Sequence, residues 1–238
     1  MITVLANPQR FLAFSRIAAP SLAVAAALLA AAGLWLGFSV PPDYQQGATV
    51  RIMFIHVPAA FAGMMGYAGL AGSAFFGLVF RHSLADAAAK AAAPLGAAFT
   101  FLALVTGSFW GRPMWGAWWV WDARLTSFLI LFLFYVGYMA LQAAIDDETK
   151  AARASGILAL VGAVNLPIVH YSVVWWNSLH QGETIFTQEG PKASAVYLWP
   201  LGLMALAYML GFGALWMARI RGEIWRRRAG ALAVQGAR

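Results

Sequence analysis

Six uninterrupted apolar runs divide the chain, at residues 18–38, 52–79, 91–109, 125–143, 156–174 and 195–217. Each is close to the ~20 residues that a helix needs to cross a hydrocarbon core of about 30 Å. In lipid, every backbone N–H and C=O has to be satisfied within a helix or within a closed barrel. The runs lack the two-residue alternation of barrel strands, so the expected fold is all-α: a single bundle of six transmembrane helices over residues 1–238, with no separate soluble domain. The composition agrees, because 62% of the 238 residues are hydrophobic and 11% are charged, which is too little polar surface for a soluble domain of this length.

Twelve of the sixteen Lys and Arg residues fall at the end of the bundle that carries both termini. Only Arg51, Arg112, Arg124 and Lys192 fall at the other. The positive-inside rule therefore places both termini in the cytoplasm. The net charge of +7 reads as topology and lipid contact, since no basic groove interleaved with stacking aromatics accompanies it. The first run is expected to be a true span, because it is long for a signal peptide and has no sharp cleavage site. The chain has no cysteine, which excludes disulfides, thiolate metal sites, covalent haem attachment and dithiol redox chemistry within it.

Nine of the eleven tryptophans lie at or near the outer end, and only Trp216 and Trp225 lie near the inner one. Aromatic belting alone would populate both interfaces. Five of the nine stand in "WGRPMWGAWWVWDAR" (110–124): Trp110, Trp115, Trp118, Trp119 and Trp121. If residues 115–122 form a short interfacial helix, then Trp115, Trp118, Trp119 and Asp122 share one face at i, i+3, i+4, i+7. Gly111 and Gly116 would admit a close approach, and Pro113 would restrict the entry. Such a shelf suits a large, flat, partly membrane-soluble ligand. A plain amphipathic anchor has the same pattern, and the segment alone does not separate the two.

The histidines bear on that choice. His56, in "IMFIHVPAAF", stands at the outer end of the second run, and His180, in "WWNSLHQGE", stands in the last outer loop. Neutral imidazole is the commonest metal ligand. Two imidazoles approaching from opposite sides can hold one iron axially while aromatic faces hold the porphyrin. His170, about one turn inside the fifth run, is expected to hydrogen-bond a neighbouring helix, and His82 to be solvated. Arg51, Arg112 and Arg124 have the geometry to pair with haem propionates, with an Arg124–Asp122 pair as the alternative for Arg124.

"WGRPMWGAWWVWD", with a histidine in each flanking outer segment, resembles the tryptophan-rich WWD signature of the haem-handling membrane proteins of cytochrome c biogenesis. With six spans and "WWNSLHQG", the likeness is greatest to the cytochrome c maturation protein C (haem exporter protein C) family, and it covers nearly the whole chain. The resemblance implies a protein of the bacterial inner membrane that presents haem b at the periplasmic face. His56 and His180 would be the axial ligands, and Trp115, Trp118, Trp119, Trp121 and Asp122 the platform. It also implies delivery to a periplasmic haem chaperone, and a complex with an ABC-transporter ATPase, its membrane subunit and a small single-span protein.

Three other classes fit less well. A cytochrome b-type electron-transfer subunit calls for histidine pairs buried within the spans. A transporter calls for several polar residues at the midplane, where the spans hold few: Thr100, Thr106, Ser108 and Asn165. No nucleophile, base and orienting group converge, so no enzymatic activity is expected of the chain, and there is no Gly-rich phosphate loop.

Overall fold

The structure, a computed structural model, describes residues 7–176, 178–180 and 194–236. Seven α-helices are present: α1 (Pro8–Ser39), α2 (Met53–Phe80), α3 (Ser83–Trp115), α4 (Ala123–Ala144), α5 (Glu148–Ala163), α6 (Asn165–Trp175) and α7 (Ala195–Gly236). A short 3-10 helix, Ala48–Ile52, leads into α2. There is no strand among the described residues. Because α5 and α6 together make one crossing, Glu148–Trp175, six segments are long and apolar enough to span a bilayer. The protein is a multi-pass membrane protein whose even number of crossings brings the start of α1 and the end of α7 to one end of the bundle. Nine of the eleven tryptophans gather at the opposite end.

Capping residues set the helix starts. Asn7 accepts the amides of Gln9 and Arg10 ahead of Pro8 in the first turn of α1, and Asp147 accepts those of Thr149 and Lys150 at α5; these contacts satisfy amides that a helix start leaves orphaned. His82 has the same duty at α3, where its Nδ1 accepts the Ala85 amide at 3.3 Å. It is therefore a cap, and not merely the solvated side chain expected from the sequence. The break between α5 and α6 has a covalent cause: Pro167 has no N–H to give the Ala163 carbonyl. Asn165, 7% exposed, turns the break into a tie, because its Nδ2 donates to the Ser127 carbonyl of α4 at 2.8 Å.

Helices α2 and α3 pack along their length, as do α1 and α7, and α4 to α6 close on the first pair. Without a hydrophobic driving force in lipid, such packing depends on small residues that let backbones approach. At Gly96 a Cβ would collide with the Tyr135 hydroxyl, which donates instead to the Gly63 carbonyl at 2.8 Å. That contact fixes the spacing of α2, α3 and α4, and so the frame in which the tryptophan end is built.

Candidate functional site

The last turns of α3 carry one half of the site. Ala103, Thr106, Gly107 and Trp110 recur at i, i+3, i+4, i+7 and so form one stripe, against which the first turn of α2 sets His56. The His56 Nδ1 lies 3.0 Å from the Ala103 carbonyl oxygen and 3.2 Å from the Thr106 hydroxyl. A carbonyl only accepts, so Nδ1 carries the hydrogen and Nε2 keeps the lone pair. The Thr106 hydroxyl spends its own hydrogen on the Leu102 carbonyl, at 2.7 Å, and thus also faces Nδ1 as an acceptor. Trp110 closes one side of the imidazole edge-on, with ring centroids 5.7 Å apart. Its indole N–H is fixed by Gln46 Oε1 at 3.0 Å.

Gly107 leaves room for that ring, since a Cβ there would stand 2.9 Å from His56 Cε1. Because the imidazole is pinned by Ala103, it cannot retreat without losing its hydrogen bond. Gly107→Val is therefore expected to expel His56 from its seat, at a cost of roughly 1–3 kcal/mol from overpacking. A fall in the thermal midpoint of the purified protein, together with a changed His56 imidazole NMR signal, would verify this. An unmoved His56 signal would refute it.

The other half is built by the segment between α3 and α4. Trp115 ends α3, and Gly116 stops the helix in the left-handed region (φ 76°), a conformation that costs glycine little. The Gly116 amide donates to the Arg112 carbonyl at 3.1 Å, and the Arg112 guanidinium donates back to the Gly116 carbonyl. The interfacial helix expected over 115–122 is therefore absent. Residues 117–122 run irregularly to Asp122, whose extended backbone caps α4, and Ser108 holds the Trp118 carbonyl at 2.7 Å on the way. Trp115, Trp118, Trp119 and Asp122 consequently share no helix face. The third helix also continues past its expected end at residue 109.

Asp122 is the hub of this half. Its Oδ1 accepts the Leu125 amide at 2.8 Å. Its Oδ2 accepts the Ser178 hydroxyl at 2.6 Å and lies 3.1 Å from His180 Nδ1. Burial opposes ionisation of the Asp122 carboxyl, but the bonds from Ser178, Leu125 and His180 outweigh it and hold the group below the usual carboxylate range. Burial likewise pulls the His180 imidazole below its ordinary value, against the opposing pull of Asp122. The pair is thus a carboxylate and a neutral imidazole rather than two charges. His180 donates through Nδ1, and its Nε2 keeps the lone pair. Ser178 also accepts the His180 amide at 3.1 Å, and Trp115 packs edge-on against the imidazole with centroids 4.9 Å apart.

The remaining residues expected at the site are spread around this pair. Trp119 packs edge-on against Trp121 at 5.4 Å, and its buried indole Nε1 has no partner among the described residues. Trp118 packs against Phe109 at 5.6 Å; it is 54% exposed and Trp121 is 74% exposed. Arg124 ties α4 to α6 through the Ser172 hydroxyl and the His170 carbonyl, at 3.1 and 2.9 Å. Arg51 holds the Val40 carbonyl at 3.0 Å. His170 is exposed and sits edge-on to Tyr171, and its carbonyl accepts from Arg124 of α4. Lys192 lies outside the described residues. Sequence reasoning passed over Gln46, Ala103, Gly107 and Ser178, and read Thr106 only as a polar residue in a span. The stripe 103, 106, 107, 110 was the available signal.

A six-crossing bundle with two partly buried imidazoles and a cluster of indoles gathered at one end defines a class: a multi-pass membrane protein whose polar and aromatic side chains converge at one end of the bundle. The family model described as Heme exporter protein C matches residues 1–235. The chain is 56% identical over 228 residues to Heme exporter protein C of Bradyrhizobium diazoefficiens, covering 96% of this chain and 87% of the relative. It is 47% identical to that of Paracoccus denitrificans (95% of each) and 49% identical to that of Escherichia coli (92% and 89%). The chain belongs to the Heme exporter protein C family.

Proposed function

We propose that the protein holds haem b as cargo at its tryptophan end, with His56 and His180 on the iron, and releases it to a periplasmic haem chaperone. One observation supports this above the others. Both imidazoles have Nδ1 committed to a fixed acceptor, which leaves each Nε2 as a lone-pair donor. Metal-ligating histidines are oriented in this way by second-shell acceptors. The indoles of Trp110 and Trp115 flank the two ligands and suit a flat apolar macrocycle. The Trp119 N–H, without a partner among the described residues, suits the carboxylates at its edge. The name of the relatives, Heme exporter protein C, agrees with haem as the cargo.

In this reading the chain is a carrier and carries out no chemistry of its own. The site faces the periplasm across the bacterial inner membrane, and ATP hydrolysis belongs to partner subunits, an ABC-transporter ATPase with its membrane subunit, working beside a small single-span protein. Haem iron supplies the two axial positions, and the residues of this chain decide how they are filled and vacated. His56 is rigid, seated between two packed helices. His180 lies outside the helices and is held by Asp122 and Ser178. Segments outside packed elements open at lower free energy, so chaperone docking displaces His180 first, and the cargo leaves from that side.

The test is the visible spectrum of the purified protein, oxidised and reduced, against ligand variants. The pH dependence gives a second check. The fold favours neutral His180, so its lone pair survives as pH falls through the ordinary 6.5 of free histidine and is lost only below it, and the stability linked to this group declines in the same direction. Haem should be released on acidification with a midpoint below 6.5 in a spectral titration. A midpoint at or above 6.5 would exclude the arrangement described for His180.

A further inference from the structure

At the end opposite the tryptophans, α1 and α7 part to leave a cleft of about 320 Å³ that combines two arginines with an apolar floor. Arg16 and Arg221 stand at its mouth; Ala19, Ala23, Ala214 and Ala218 line it below them. Four alanines on two facing helices leave a trough where larger side chains would have closed the seam. The Arg221 guanidinium is held in place, because its Nη1 donates to the Leu12 carbonyl at 2.7 Å and to the Ser15 hydroxyl at 3.1 Å; Ser15 itself is 1% exposed. Arg16 is exposed. Among the described residues neither arginine has a carboxylate partner. The acid nearest to Arg221 in sequence, Glu223, is taken by Lys90, Arg226 and Arg227.

Depth in the bilayer determines which ligand suits such a cleft. At 1.5 Å per residue, Arg16 lies about 35 Å along α1 from its tryptophan-end terminus at Ser39. Arg221 lies about 39 Å along α7 from Ala195. With a hydrocarbon core of about 30 Å, both guanidiniums fall at the headgroup level of the far leaflet, and the alanine trough runs from them into the acyl region. A ligand for this cleft needs a doubly accepting anion at one end, which suits guanidinium geometry, and a slender apolar chain at the other. Pro20 has no N–H for the Arg16 carbonyl, which leaves a hydrogen-bond acceptor beside the cations for a headgroup hydroxyl.

We propose that the α1/α7 cleft is a binding site for one acidic glycerophospholipid of the leaflet opposite the tryptophan end, with its phosphate on Arg16 and Arg221 and an acyl chain along Ala19, Ala23, Ala214 and Ala218. The site clamps the two helices that hold each other at the edge of the bundle. It is independent of the haem reading and stands or falls without it.

Native mass spectrometry of the full chain, released from detergent and titrated with phosphatidylglycerol, phosphatidylcholine or inorganic phosphate, tests the proposal. One saturable phosphatidylglycerol is expected, bound more tightly than phosphatidylcholine and not displaced by millimolar phosphate. Arg16→Gln, which removes an exposed cation with no carboxylate partner among the described residues, should weaken it about fivefold, the worth of one basic residue at an anionic surface. Ala218→Leu keeps both charges but fills the trough, and should weaken phosphatidylglycerol at an unchanged thermal midpoint in lipid-free detergent. Equal binding of the two lipids would overturn the proposal, as would displacement by inorganic phosphate, which marks a free-anion site. Undiminished binding in Ala218→Leu would overturn it as well.

Discussion

His180→Ala is expected to abolish the spectrum of a six-coordinate bis-histidine haem, and His56→Ala to do the same. Each substitution removes the one nitrogen that a fixed hydrogen bond had left with its lone pair. For His56 the lost contacts are those to Ala103 and Thr106, and for His180 those to Asp122 and Ser178. With one imidazole gone the iron retains a single protein ligand, so the reduced protein should change from a sharp low-spin band pattern to a broad high-spin one, with cargo lost on gel filtration. His170→Ala is the control, because that side chain is exposed on α6, and its spectrum should be unchanged. Wild-type spectra in both ligand variants would end the assignment, whatever the haem content. The indole-rich segment would then be a docking surface or an anchor.

The second large effect is expected at Asp122, which touches no cargo in this scheme. Asparagine is as good a helix cap as aspartate, so Asp122→Asn should preserve the bond to the Leu125 amide and leave α4 and the thermal midpoint nearly unchanged. Toward His180, however, the carboxamide offers an N–H where the carboxylate offered a lone pair. The imidazole hydrogen then moves to Nε2, and the nitrogen meant for iron is blocked. Removing such second-shell acceptors typically costs 10–100-fold in metal affinity, and a loss of that size in haem affinity is expected. Asp122→Ala, which lacks the donor, should weaken haem less than Asp122→Asn despite being the poorer cap. If the two variants rank the other way, Asp122 acts only through the start of α4.

The site was legible in the sequence to unequal depth. His56, His180 and the tryptophan cluster stood out because they are costly residue types concentrated on one face of a membrane bundle. The helix expected over 115–122 did not form, for a local reason. The spacing of Trp115, Trp118, Trp119 and Asp122 satisfies helical periodicity, but periodicity records only which residues would share a face if a helix existed. Gly116 in the left-handed region and the extended backbone at the Asp122 cap end one helix and start another across the same six residues. His82 shows a related limit, since a histidine three residues before an amide is a cap only if the helix begins there.

The six crossings follow from the amino-acid sequence by itself, because in hydrocarbon a run of about 20 apolar residues has no other way to satisfy its backbone. The absence of thiol side chains follows from it too, as does the presence of an imidazole in each of two segments at the tryptophan end. Only the tertiary structure decided which nitrogen of each imidazole is free. The acceptor for His56 lies 47 residues away on α3, and the acceptor for His180 lies 58 residues away at the start of α4. No periodicity within a helix carries that information. A tautomer is set by whichever oxygen the packing brings within hydrogen-bond reach of the ring, and here it is the packing of α2 on α3, together with the stop at Gly116, that supplies both.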